Sequence, residues 1–396
     1  MTIKTAICIV GGGITGLTTA LILKKLGFTV CIINKTGSAK ELMSDGLFYA
    51  VSPASIKLLT ECGLEKEISA LGEDVVKMEI HSNDSTLNLD CKGTNEKILA
   101  KIVNHKKLQA LLEKKVSQND GIKKLDGFCE EITYEPKDDI CRIKFRSKEK
   151  RAKNFLETKL LVIADGSNSH CRQKLQIPWG LKNYHQKAVV AKFNSRLAPC
   201  IARQWFFKDE VLALLPTSHG KVSMVWSQDE RKAERLLESQ GALIENGLVE
   251  ILGRNVASKL ELNSIPMAAP LTMISVDRYT QSRVILLGDA AHTVHPLAGL
   301  GLNMGFFDII AFSRELESFK DLSSVSFDPG HPKVLKAYSR NRSFRIRTTQ
   351  ALIDTIKYSF AIDRPSVNFF RSYGVNFVNH SDFLKRQIVN FATSEF

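Results

Sequence analysis

Three groups of residues have the types and spacing to do chemistry. The first is Gly288-Asp289, followed by Pro296, Gly299, Gly301, Leu302 and Asn303. Glycines let a ligand approach the main chain, and a helix opening just beyond them offers free N–H groups and a partial positive charge. That order builds an anion site. The second group is Gly11, Gly13 and Gly16, the G-x-G-x-x-G spacing that closes a turn, admits a pyrophosphate and lets a helix pack closely. The third is Asp165-Gly166 with Arg172 six residues further on.

Each group needs elements to hold it. Ala6–Val10 and Thr29–Ile33 read as strands flanking a helix that runs through Leu26, so the first glycines sit in a βαβ unit. In such a unit the second strand ends in an acidic residue for a ribose hydroxyl. Here that place is held by Asn34, which bonds a hydroxyl without the help of charge. Lys159–Ala164 is an apolar strand delivering Asp165 and Gly166 to a turn, with Arg172 on the helix after it. Val284–Leu287 is a buried strand ending at Gly288-Asp289, and a helix starts near Asn303.

Composition narrows the class. The 396 residues exceed one compact core and suit two interlocked domains. A hydrophobic content of 44% and a mean hydropathy of −0.09 fit a globular chain. No run reaches the length of a membrane span, and the first residues go straight into a strand pattern, so a cytoplasmic protein is expected. The net charge of +13 is spread over basic clusters at 101–115, 142–153 and 340–347, interleaved with Glu and apolar residues. Without a nucleic-acid motif these read as solvated faces, with a membrane-facing rim as the alternative and no nucleic-acid partner. The eight cysteines are scattered, which points to reduced thiols. His292 and His295 have no third ligand near them in sequence, so no metal site is expected.

Gly288-Asp289-Ala290-Ala291-His292 with Pro296-Leu297-Ala298-Gly299-x-Gly301-x-Asn303 resembles the second FAD motif of the single-component aromatic hydroxylases. Within them it looks most like the ubiquinone-biosynthesis ring monooxygenases of the UbiH/UbiF type. Ala164-Asp165-Gly166-x-x-Ser169-x-x-Arg172 resembles their middle motif, and Tyr338 and Arg342 their Tyr-x-x-x-Arg, so the resemblance covers essentially the whole chain. It implies an α/β fold: a Rossmann-like FAD-binding domain of the p-hydroxybenzoate hydroxylase type, interlocked with a mixed or antiparallel β-sheet substrate domain, and C-terminal helices. On that reading residues 1–74, 98–177 and 276–332 form the FAD-binding domain, 75–97 and 178–275 the substrate domain, and 333–396 the helical region.

The resemblance also implies roles. Gly11, Gly13, Gly16 and Asn34 would hold the ADP half of FAD, and Asp289 a ribityl hydroxyl. Gly288, Pro296, Gly299, Gly301, Leu302 and Asn303 would face the flavin, Asp165, Gly166 and Arg172 would help bind FAD and meet the passing nicotinamide nucleotide, and Lys106 would stand where relatives place Arg. Pro296 and His292 are the candidates nearest the flavin, His292 fixing the loop. The implied reaction is hydroxylation of a polyprenylated phenol by a flavin C4a-hydroperoxide, with NAD(P)H as a transient co-substrate and O2 as oxidant. No residue presents itself as the phenol base. The chain departs from the family at Asn34, at Leu47 and Lys106 in place of Arg, and at Leu300 in place of Gln. Those departures motivate a rival reading, a weakly catalytic or structural subunit of a ubiquinone-biosynthesis complex; a reductase of the same fold acting on a prenyl chain is a third.

For the remainder, alternation predicts strands at 75–97, near Cys129–Thr133 and Cys141–Phe145, and over Ala188–Phe193, Trp205–Phe207, Val211–Leu215 and Lys221–Trp226. One helix is expected at Gln228–Gln240, and C-terminal helices at Lys333–Tyr358 and from Ser381 on. Trp205, Phe206, Phe207 and Trp226 read as core aromatics, with a substrate-pocket lining as the alternative.

Overall fold

The computed structural model describes residues 2–35, 46–82, 85–147, 153–207, 209–239, 241–322, 327–361 and 365–393. Gln240, the last residue of the helix expected at Gln228–Gln240, lies outside them.

The first sheet is built on a parallel core. Strand β1 (Thr2–Val10) runs between β2 (Val30–Asn34) and β10 (Lys153–Ile163), and β18 (Val284–Leu286) continues parallel to β10. Ile7 to Val10, Leu160 to Ile163 and Val284 to Leu287 are all buried, as expected of parallel strands covered on both faces. β8 (Ile122–Glu135) starts parallel to β2, then turns into an antiparallel meander with β9 (Ile140–Ser147) and the first half of β10; β17 (Thr280–Gln281) edges β18. Three chain reversals at the C-terminal ends of β1, β10 and β18 therefore converge.

The second sheet is antiparallel apart from one join. Its order is β15 (Leu260–Leu262), β11 (Trp179–Ser195), β14 (Lys221–Asp229), β13 (Glu210–Thr217), β12 (Ile201–Phe207), β5 (Lys77–Ser82), β6 (Ser85–Asp90), with β16 (Met267–Val276) also on β11. β12 and β5 run parallel. A third small sheet, β3 (Phe48–Val51), β7 (Ala100–Asn104) and β4 (Gly72–Val75), lies against it through Val75, Ile102 and Ala202.

The helices start where local chemistry allows. α1 (Ile14–Lys25) follows Gly13; α2 (Pro53–Leu59) is capped by Ser52 with Pro53 in its first turn; α3 (His105–Ser117) is capped by Asn104; and α4 (His170–Lys174) by Ser169. α5 (Glu230–Glu238) occupies the expected helical stretch. Two features correct the sequence reading. α6 (Ala242–Leu252) and a further turn at Arg254–Ala257 follow where no second helix was expected. The apolar residues Leu243, Ile244 and Leu248 fit a helix period, and Ile244 and Leu248 are buried on one face. After α7 (Leu300–Leu322) and α8 (Pro332–Ala361), an unforeseen α9 (Pro365–His380) precedes α10 (Asp382–Thr393). Pro365 opens α9 rather than ending a helix, the position at which proline costs nothing.

Trp226 is buried in the core between the second sheet, α5 and α6, with Trp205 and Phe207 packed against it; Phe206 joins the main core. Phe206 and Trp226 are core, and Trp205 and Phe207 are half-buried at its edge. No described helix is long and apolar enough to cross a membrane.

Candidate active site: a cavity where three glycine turns meet

The turns at the ends of β1, β10 and β18 open into one cavity of about 1240 Å³, above the usual 300–1,000 Å³ of a single-ligand pocket. At one end Gly11, Gly12, Gly13, Ile14 and Thr15 form the wall. No side chain caps α1, so its first N–H groups are left for a ligand, and a Cβ at Gly13 would meet only open space. Gly11 has φ +120°, and a Cβ there would lie 2.2 Å from the Ala164 oxygen. Gly16 is not part of the wall: a Cβ on it would lie 2.0 Å from the Gly11 oxygen, so it serves close packing of α1 on β1.

Asn34 lines the cavity, but its Oδ1 accepts the Gly12 N–H at 3.0 Å. The side chain thus steadies the turn with its acceptor and has its amide N–H2 left to donate. Beside it Lys35 lies over the Phe128 ring, which packs against His170.

At the end of β10, Asp165 and Gly166 line the cavity, Gly166 with φ +86°. Asp165 Oδ2 accepts the Cys171 N–H at 3.1 Å and holds the start of α4. Its Oδ1 is buried with no hydrogen-bond partner, an acceptor left for a ligand. Arg172 lies behind the wall, fully buried. It donates to the Ala290 carbonyl at 2.8 Å and the Ser167 carbonyl at 2.9 Å and stacks on Trp179. It joins the second turn to the third.

In the third turn Asp289 faces the cavity, whereas Gly288 and His292 lie behind it. Asp308, from the middle of α7 and 0% exposed, accepts the Gly288 N–H at 2.8 Å, His292 Nε2 at 2.7 Å and Arg342 Nε at 2.9 Å. Burial opposes ionisation of Asp308, but the His292 and Arg342 charges and the bonds from His292 and Gly288 outweigh it and hold its pKa below the ordinary carboxylate value. His292 therefore fixes the loop from behind rather than bordering the cavity.

Pro296, Leu297, Gly299, Gly301, Leu302 and Asn303 line the cavity at the start of α7, and Gly299 takes φ +61° to turn into that helix. The Asn303 amide is fully occupied: Oδ1 accepts from the Ser52 N–H and Ser55 Oγ, and Nδ2 donates to the Ala50 and Gly299 carbonyls. It pins β3 to α7, and only its main chain remains for a ligand. His295 points away from the cavity, edge-on to Tyr184; burial, with the Lys357 charge adding, lowers its pKa to about 3, so it is neutral.

Sequence reasoning missed a further pair. Tyr49 and His105 both line the cavity, beside Leu47 and Lys106, with Tyr49 Oη 3.2 Å from His105 Nδ1. Burial, and then the Asp289 charge, raise the Tyr49 pKa well above its ordinary value, so the phenol stays protonated. No motif marked these positions. The opposite end of the cavity is apolar, lined among others by Val75, Leu89, Leu99, Ala202 and Leu215, and by residues of α10.

Comparison with known proteins places this geometry. The chain is 27% identical over 398 aligned residues to 3-demethoxyubiquinol 3-hydroxylase of Escherichia coli (strain K12), covering 98% of each. It is 30% identical to the human mitochondrial ubiquinone biosynthesis monooxygenase COQ6, over 60% of this chain and 57% of that protein. Among solved structures, p-nitrophenol 4-monooxygenase PnpA from Pseudomonas putida DLL-E4 superposes with a TM-score of 0.81 at 18% identity, covering 100% of this chain and 99% of that one. PqsL, a probable FAD-dependent monooxygenase from Pseudomonas aeruginosa, gives 0.76 at 20% identity, over 94% of this chain and 100% of that one. The model of the FAD binding domain family matches residues 4–351, which include all three turns and the Asp308 network, and the chain belongs to that family.

Proposed function

We propose that the protein is an FAD-dependent monooxygenase that hydroxylates the ring of a polyprenylated phenol in ubiquinone biosynthesis, using NAD(P)H and O2. The observation that carries this reading is a single cavity with a glycine- and carboxylate-lined end and an apolar end, in a chain of the FAD binding domain family whose full-length relative acts on demethoxyubiquinol. The residues present fit FAD. The uncapped α1 N-terminus suits the pyrophosphate, the orphaned Asp165 Oδ1 suits a ligand hydroxyl, and Asp289 suits the ribityl chain. Bound there, FAD supplies the electron transfer from NAD(P)H and the activation of O2.

The protein's share is binding, orientation and exclusion of water. Asn34 would donate to the adenosine side, Lys106 would bring a positive charge to the cavity wall, and the α7 N-terminus would favour negative charge on the flavin edge. Tyr49, protonated and next to His105, offers a hydrogen-bond donor inside the cavity. The two sheets form the parts we assign to cofactor and substrate, with the boundaries given above. Peripheral contact with a membrane surface fits the +13 charge and the exposed Tyr373, Phe377 and Phe383 of α9 and α10.

The test is the visible spectrum of the purified protein, with FAD titrated in if it is colourless. A bound-flavin spectrum that bleaches under anaerobic NAD(P)H, followed by substrate-dependent O2 uptake, is expected. Failure to bind FAD at high micromolar concentration would overturn the enzyme and favour the structural-subunit reading, which Leu47, Lys106 and Leu300 on the cavity wall motivate.

A further inference from the structure

A row of directly paired residues crosses the second sheet from β11 to β6: Val190, Val225, Ala213, Gln204, Ile80 and Leu87. Gln204 alone among them carries a polar side chain, and it is 3% exposed. It lines the cavity together with Val190, Ala213 and Val225. A buried amide costs free energy unless its atoms are bonded, so both of its arms need a partner.

One arm has its partner. Nε2 donates to the Leu297 carbonyl at 2.7 Å. A carbonyl only accepts, so the arm that meets Leu297 is the amide nitrogen and the amide oxygen points elsewhere. Oε1 has no donor among the described residues, yet it is not sealed inside the protein; it is the arm that Gln204 turns to the cavity. Leu297 belongs to the turn Pro296–Ala298, which borders the cavity before α7. The bond to it fixes the side chain, so Oε1 is an acceptor held at the seam between the sheet and that turn. Its sheet neighbours Ala202, Ala213 and Val225 are apolar and supply no donor.

We infer that Gln204 orients the substrate ring, its Oε1 accepting the hydrogen bond of the ring hydroxyl beside the short side chains of Ala202 and Ala213. This deepens the ring-hydroxylase reading and rests on it for the identity of the ligand. An amide oxygen takes a hydrogen bond but not the proton, so the ring is held as a neutral phenol, its hydroxyl oriented and not ionised. Selection follows from the same atom. A phenolate, or a carboxylate at that place on the ring, would bring negative charge against a lone pair and apolar neighbours.

The test is calorimetry on the full-length, FAD-saturated protein without reductant, using an ortho-prenyl phenol and its two counterparts in which NH2 or F replaces the hydroxyl. The phenol and the amine can donate; the fluoro compound cannot. Wild type should bind both donors at least about five-fold more tightly than the fluoro compound, whose ring leaves Oε1 desolvated and unpaired. Gln204→Met removes both arms and should lose that ratio, whereas Gln204→Glu keeps an acceptor in either protonation state and should retain it. Each ratio is taken within one variant, so a general loosening of the turn cancels. Raising the pH through the phenol's own pKa should weaken the phenol and leave the amine unchanged. Should Gln204→Met fail to hold FAD, the wild-type ratio and its pH dependence decide. A ratio absent from wild type, surviving in Gln204→Met or lost in both variants overturns the assignment, as does tighter binding of the phenolate. The two readings fail separately: a donor preference without hydroxylation of the phenol under NAD(P)H and O2 supports Gln204 and overturns the hydroxylase, and hydroxylation without a donor preference does the reverse.

Discussion

Asp308→Asn tests whether the third turn is held from behind. Asp308 Oδ2 takes the Gly288 N–H and His292, while Oδ1 takes Arg342. An amide can accept at only one of these places. If its oxygen stays with Gly288, its NH2 meets Arg342, and a guanidinium buried to 4% exposure loses its counter-ion. If it turns over, the NH2 meets the Gly288 N–H and that donor is orphaned. Breaking a buried charge pair costs about 3–5 kcal/mol, at least roughly 100-fold in the folding equilibrium. The turn that carries Asp289 should loosen with it. Urea denaturation should show a lower midpoint at unchanged slope, and FAD titration a weaker dissociation constant. The double variant Asp308→Asn, Arg342→Met should recover at least about 1 kcal/mol of the loss, because the stranded charge is gone. A single variant within about 0.5 kcal/mol of wild type, with FAD affinity unchanged, would refute the reasoning.

Four further outcomes are expected. Asn303→Ala leaves the Ser52 N–H and the Ala50 carbonyl without their partner and should cost at least about 2 kcal/mol in urea denaturation; a neutral result would mean that β3 is held otherwise. Gly16→Ala puts a methyl 2.0 Å from the Gly11 oxygen and should abolish FAD binding by the soluble protein, as read by flavin absorbance. Asn34→Asp keeps the acceptor for Gly12 and adds charge toward a ribose hydroxyl, so FAD should bind about three- to ten-fold more tightly; weaker binding would remove Asn34 from the ribose. His295, folded as the neutral form with its pKa lowered to about 3, takes up its proton more readily when unfolded, so its contribution to stability is present above pH 6.5 and is lost between pH 6.5 and 3. Urea midpoints against pH should fall over that range and flatten in His295→Gln; parallel curves would show that another group sets the slope.

The turns were legible in the sequence because their function lies in the backbone. Gly11, Gly16 and Gly299 are read from spacing alone, since only glycine fits a positive φ or an approach of 2–3 Å, and no distant residue has to be known. Side-chain roles were less legible because they depend on which way a residue faces. Arg172, His292 and Asn303 belong to the right motifs, yet Arg172 and His292 lie behind the wall and the Asn303 amide is spent on β3. Asp308 left one signal, a lone carboxylate within the apolar run Phe306–Ile310, where a charge survives only if paired. Tyr49–His105 and the α10 wall are long-range pairings with no local pattern.

These placements explain why departures from the family motifs leave the site standing. Arg172 ties the second turn to the third through Ala290, Asp308 ties the third to α7 and α8, and Asn303 ties α7 to β3 and α2. Each of these side chains is spent on protein and none on a ligand, so together they set the spacing of the main-chain amides that face the cavity. The departures Leu47, Lys106 and Leu300 all lie on the cavity face, where a changed side chain subtracts its own contact and leaves that spacing intact. Substitutions on the face should therefore change cofactor affinity in separate, roughly additive steps, while substitutions behind it should shift stability and affinity together. That difference in covariance, measured across the two sets, separates a weakened flavoenzyme from a chain that has lost its site.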